Sequence, residues 1–140
     1  MKALIPVVLL SSMLSGCSFL GFHVRRHAER APPEEAAKID FPDSFENEIH
    51  VPGPMAVALE VAMNEFLPPG SRVTTNDPDK RVASCLSRRS SYEILLIKSS
   101  DDLFFVKFIP NLKRCGLEDE ILDGGATYAI DSKGRVLGVR

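Results

Sequence analysis

The chain has 140 residues, with 17 lysines and arginines against 19 aspartates and glutamates and a formal net charge of −2. That length allows a single domain once tails are set aside. The mixed, slightly acidic charge lacks the basic footprint of a nucleic-acid binder and the one-signed field that steers a charged polymer, so no nucleic acid is expected as a partner.

In chain order the first signal is a leader. Met1-Lys2 precedes an apolar run over residues 3–14, which closes on Leu14-Ser15-Gly16-Cys17. One positive charge, a short apolar segment and small residues before a cleavage point describe a secretory signal. The run is interrupted by Ser11 and Ser12 and is shorter than the roughly 18–20 apolar residues that a membrane span needs. The tetrad resembles the lipobox of bacterial lipoproteins. That resemblance implies a diacylglycerol thioether on Cys17, cleavage just before it, and acylation (palmitate) of the new amine. Membrane lipid is then a partner through Cys17, and the protein is expected in the bacterial cell envelope. Ser18 rather than aspartate follows the cysteine, which implies sorting to the outer membrane, facing the periplasm. The competing reading is an ordinary secreted protein with a chance cysteine, or an uncleaved anchor.

These marks divide the chain into a signal (1–16), a lipidated N-terminus and tether (17–52), and a globular domain (53–140). The tether carries Pro32, Pro33, Pro42 and Pro52. Some 30 flexible residues span about 30 Å on average, more where prolines stiffen them. Arg25, Arg26 and Arg30 stand close behind the anchor, and each adds about 1 kcal/mol of attraction if it lies near an anionic leaflet. Phe19, Leu20 and Phe22 are placed to rest in the interface. Apolar residues within 39–45, or within 49–51, are more than a linker needs, so one of these stretches is expected to lie against the domain.

Gly53-Pro54 is a helix start, with proline at the first helical position, and Pro68-Pro69-Gly70 is a stop. Between them Glu60, Asn64 and Glu65 are the polar residues, so the apolar arc is wider than a surface helix requires. Core packing, including Met55 and Met63, is the favoured role; an exposed docking surface is the alternative. Residues 81–87 are expected as a first strand after the turn-rich Asn76-Asp77-Pro78-Asp79. Residues 92–98 and 103–109 are β-branched and aromatic and predict two strands, joined by a hairpin loop at Ser99-Ser100-Asp101-Asp102. Both are apolar on alternating faces and so are expected to be central. A last hairpin runs through 126–131, a turn at Ser132-Lys133-Gly134, and 135–139; Gly134 suits the positive φ of such a loop.

The expected fold class is α+β: one N-terminal helix packed on a four- to five-stranded antiparallel sheet. This order is similar to the cystatin-like superfold over about residues 54–139. The Gln-x-Val-x-Gly hairpin of cystatin inhibitors is absent from the sequence, so protease inhibition does not transfer.

With Cys17 assigned to lipid, Cys85 and Cys115 remain, and an even pair in an exported domain reads as a disulfide. Two unrelated buried thiols are the alternative. No Cys-x-x-Cys spacing occurs, and His23, His27 and His50 all precede the domain; neither a metal nor a cofactor is expected. No nucleophile motif is present. The carboxylates Asp101-Asp102 and Glu118-Asp119-Glu120 fall in predicted loops, where they are ordinarily solvated, so no catalytic residue is assigned and the chain is not expected to be an enzyme. Arg88-Arg89 is by default a surface charge pair; its functional reading is a grip on an anionic partner. The expected function is therefore a non-catalytic, lipid-anchored protein-binding or envelope-accessory domain with an envelope protein as partner. The alternatives are an assembly chaperone resembling the pilot lipoproteins of outer-membrane complexes, or a small-ligand or enzymatic pocket in a curled sheet.

Overall fold

The computed structural model describes residues 28–46, 48–118, 121 and 124–140. The leader, the lipobox with Cys17, the Phe19, Leu20 and Phe22 group, Arg25, Arg26, His23 and His27 lie outside the described residues, as do Asp119 and Glu120. The chain divides into two units, Met1–Glu46 and Asn47–Arg140.

In the first unit the described residues form one helical turn, α1 (Pro33–Ala36), with proline at its start and Glu34 and Glu35 in the first turn. Acidic side chains there complement the helix dipole. None of its residues is buried. Ile39, Phe41 and Phe45 are exposed, Phe41 to 86%, and in the second unit Ile49 and Val51 are exposed too. Within the second unit, the burial expected of 49–51 does not occur. Glu48 and His50 alternate with Ile49 and Val51 there, and polar groups so spaced carry a desolvation penalty that isolated apolar groups do not offset.

The second unit is built on a four-stranded antiparallel meander in the order β1-β2-β3-β4: β1 (Tyr92–Ser100), β2 (Leu103–Pro110), β3 (Ala126–Asp131) and β4 (Val136–Val139). Register sets Ile94 opposite Phe108 and Leu96 opposite Val106, then Val106 opposite Tyr128 and Phe104 opposite Ile130. Because side chains alternate along a strand, these even-numbered residues share one face. Phe104, Val106, Phe108, Tyr128 and Ile130 are all buried there.

Helix α2 (Gly53–Phe66) lies across β2 and β3 on that face. Its fully buried positions are Ala58 and Ala62, four residues apart and therefore on one stripe; their small side chains let the helix approach the sheet closely. Leu59, Val61, Met63 and Phe66 are half-buried and pack beside that contact. The helix is thus a core helix, but its arc is covered from one side, and Val57 stays 44% exposed. The final hairpin forms as expected. Gly134 has φ +76°, and a β-carbon there would press against Val57 and Val61 of α2.

Two expectations are corrected. Residues 81–87 are not a strand; helix α3 (Lys80–Leu86) occupies them. Asp79 is its N-cap, accepting from the Arg81 amide at 2.9 Å, the preferred residue type for that position. Val82, Cys85 and Leu86 are the buried positions, a helical spacing rather than a strand's alternation. The domain therefore holds a second helix, and the sheet has four strands, the first of them β1. Secondly, β1 is an edge strand, while β3 shares the centre with β2. Leu95 and Ile97 on its outer face are 52% and 60% exposed, so apolar residues on both faces do not mark burial on both.

Candidate functional site

Cys85 and Cys115 are joined by a disulfide, with Cα atoms 6.0 Å apart. Cys85 is buried in α3, and Cys115 ends a short 3-10 turn, Leu112–Cys115, just after β2. Gly116 at φ +70° closes that turn, which lets Leu117 return to the core with its amide on the Leu112 carbonyl at 3.2 Å. The buried hydroxyl of Ser91 lies 3.4 Å from each sulfur. Since disulfide sulfurs carry no proton, the hydroxyl is the donor in any bond to them. The bridge therefore ties α3 to the end of β2 and stands as a structural staple.

Arg88 and Arg89 part company. Arg89 Nε donates to the Leu67 carbonyl at 3.0 Å and Nη2 to Asn64 Oδ1 at 2.9 Å, closing the C-terminal end of α2, where carbonyls lack helical partners. Arg88 remains exposed. The candidate carboxylates are likewise engaged in the fold. Asp101 pairs with Lys98 at 2.7 Å, and that hydrogen bond, together with the lysine's charge, lowers its pKa. Asp102 accepts from the Ser132 hydroxyl at 2.6 Å, linking the two hairpin loops. Glu118 is exposed, and so is His50.

The outer face of the sheet, turned away from α2, is exposed at Leu95 and Ile97. Leu95 and Ile97 of β1 stand opposite Lys107 and Phe105 of β2, and Phe105 stands opposite Ala129 of β3. The result is a continuous apolar strip across three strands, with Lys107 at its border. At one corner Glu93 holds Arg114 Nη2 at 2.7 Å and Asn111 Nδ2 at 3.0 Å; these bonds, that of Arg114 foremost, lower the Glu93 pKa. Leu137 and Val139 of the far edge strand are also more than half exposed. Two apolar residues two apart on a strand are the available signal, readable as a second exposed face once α2 is placed on the opposite one.

No protein-family model, curated protein or solved structure matches this chain. Its own geometry is what remains. A cavity of about 410 Å³ opens between the end of α2, α3 and the 73–77 loop, lined by Phe66, Leu67, Val82, Leu86, Tyr92 and Ile121. The phenol of Tyr92 is already committed to the Leu86 carbonyl at 2.9 Å, and burial raises its pKa. The cavity is thus apolar, with Thr74, Thr75 and Asp77 at its rim, and it holds no paired acid and base within the described residues. Among those residues no cluster of three or more His, Cys, Asp or Glu stands where it could hold a metal ion, and no helix is long and apolar enough to cross a membrane.

Proposed function

We propose that this chain is a lipid-anchored protein of the bacterial envelope whose domain binds another protein without catalysing a reaction. The apolar strip Leu95, Ile97 and Phe105 is the observation that carries the reading. An antiparallel sheet with one solvated face ordinarily puts polar residues there, and contiguous exposed apolar surface marks interaction sites. The lipobox supplies the address: Cys17 carries the lipid, a second and third acyl chain make the anchoring stable, and residues 17–52 give the domain reach. Outer-membrane placement facing the periplasm follows from Ser18. The cystatin-like order of helix and meander contributes no activity, since fold does not dictate function. In the pilot-like alternative the half-covered α2 offers little surface, so its client would also meet the sheet face. A small apolar ligand in the cavity beside α3 is the second reading, favoured by the Phe66, Leu86 and Tyr92 lining.

The test uses two changes in the intact protein. Cys17→Ala should leave an uncleaved precursor or release the protein from membranes, and a variant that migrates and fractionates like wild type ends the lipoprotein reading. A photo-crosslinking residue at Leu95 or Ile97 should trap a defined envelope protein, while the same residue at Glu60 on α2 should not. Equal trapping from both positions, or none from the sheet, removes the docking assignment.

A further inference from the structure

A second surface has a different chemistry. The 70–73 loop and helix α3 face each other across a groove of about 670 Å³, lined by Ser71, Arg72, Ser84, Ser87 and Arg88 among others. Four arginines of the domain are bound to acceptors: Arg81 to Asp79, Arg89 to Leu67 and Asn64, Arg114 to Glu93, and Arg135 to Asp131. Arg72, Arg88 and Arg140 make no such bond among the described residues, and all three are exposed; of these, Arg72 and Arg88 border the same groove. Two guanidinium groups bordering one groove repel each other, and an anion between them turns that repulsion into attraction.

The walls are held in place. The Val73 amide donates to Ser87 Oγ at 2.8 Å, and that hydroxyl donates to the Ala83 carbonyl at 2.8 Å, so the loop is tied to the helix. The carbonyls at this end of α3 are occupied as well. Ala83 accepts from the Ser87 amide, Cys85 from the Arg88 amide, and Leu86 from the Tyr92 hydroxyl, which blunts the negative end of the helix. One group is left over: Ser71 Oγ is shielded from solvent and has no hydrogen-bond partner. A buried hydroxyl without a partner is unfavourable, and rotating it into the groove breaks no bond.

We propose that this groove binds a phosphoryl oxyanion, with Arg72 and Arg88 as paired charged donors and Ser71 and Ser84 as hydroxyl donors. Planar guanidinium forks suit the oxygens of phosphate, and the groove has room for a phosphate with its substituent. The shared chemistry is the phosphoryl group; its source is either a free phosphate compound or a phospholipid headgroup. The site is separate from the sheet face and does not depend on it.

The experiment follows the arginine Nε–H resonances of the full chain in neutral detergent. It is titrated separately with inorganic phosphate and with glycerophosphoglycerol, the deacylated form of a phospholipid headgroup. Arg72 and Arg88 should shift with saturation while Arg114 and Arg135 stay still. Arg72→Ala and Arg88→Ala should each weaken binding roughly tenfold or more, the scale of a hydrogen bond to a charged group, with unchanged melting because both side chains are exposed. Tighter binding of glycerophosphoglycerol assigns the headgroup source, and tighter binding of phosphate assigns the free compound; either supports the site. Shifts without saturation, equal shifts at all four arginines, or full binding by both variants would overturn it.

Discussion

The ring of Phe66 lies flat on that of Phe108, with centroids 4.5 Å apart and planes 2° from parallel. Tyr92 meets Phe66 edge-on at 4.9 Å, and Tyr128 does so at 6.5 Å. The last turn of α2 is thereby locked to three strands through one side chain. Such aromatic pairs add about 0.5–1.5 kcal/mol beyond their buried area.

Phe66→Ala should therefore destabilise the domain by about 3 kcal/mol, toward the low end for Phe-to-Ala changes because the ring is half-buried. Thermal unfolding monitored by circular dichroism measures it. An unshifted transition would show that α2 is not a core element and would return it to the candidate docking surfaces.

Breaking the Cys85–Cys115 bridge should lower stability by about 3–4 kcal/mol on the chain-entropy account of a closed loop; the two residues are 30 apart in sequence. The double variant Cys85→Ala with Cys115→Ala, compared with wild type under oxidising conditions, reads the loss. Alkylation of the unfolded, unreduced protein should label neither cysteine, and labelling of both would contradict the bridge.

Asp131 is buried at the last hairpin and accepts from the Arg135 amide at 2.8 Å, from Arg135 Nε at 2.6 Å and from the Lys133 amide at 3.0 Å. The Arg135 amide foremost, helped by the guanidinium and the Lys133 amide, holds its pKa below the ordinary value of 3.8. A carboxyl with a depressed folded pKa contributes stability that is fully present above its unfolded value and is lost as pH falls through the folded one. Urea midpoints should therefore decline below pH 3.8, and Asp131→Asn should flatten that decline while lowering stability at neutral pH. An acid limb as steep in the variant as in wild type would remove Asp131 from the account.

Gly125 stands where a β-carbon would run into the Phe108 carbonyl, at the entry to β3. That obstacle is backbone and cannot swing aside. Gly125→Ala should cost about 1–3 kcal/mol, the usual range for forced overpacking. Gly116→Ala meets no atom and is opposed only by its positive φ, so Gly125→Ala should be the more damaging for β3 pairing. Amide exchange at Ala126 and Thr127 reports which change loosens the strand.

Local chemistry decided much of this protein in advance. Prolines bracket α2: Pro54 sits in its first turn, where its missing amide costs nothing, and Pro68 forces Leu67 out of helical backbone to end it. The β-branched runs at 92–98 and 103–109 become strands, and Gly134 takes the positive φ of the last turn. Helix α3 is legible too, through Asp79 and the spacing of Val82, Cys85 and Leu86, although the apolar residues of so short a stretch suit a strand equally. Short apolar runs do not separate the two by periodicity alone. Other features arise only when distant segments meet. The edge position of β1 depends on which strand pairs with β2 next, and the exposure of Leu95 and Ile97 on α2 packing against the opposite face of the sheet. Arg89 caps a helix that ends more than twenty residues earlier, and Arg72 shares a groove with Arg88 because the Val73 amide reaches Ser87. Propensities and turn residues act within a few positions along the chain, whereas solvent exposure and charge pairing are set by what the folded chain brings alongside.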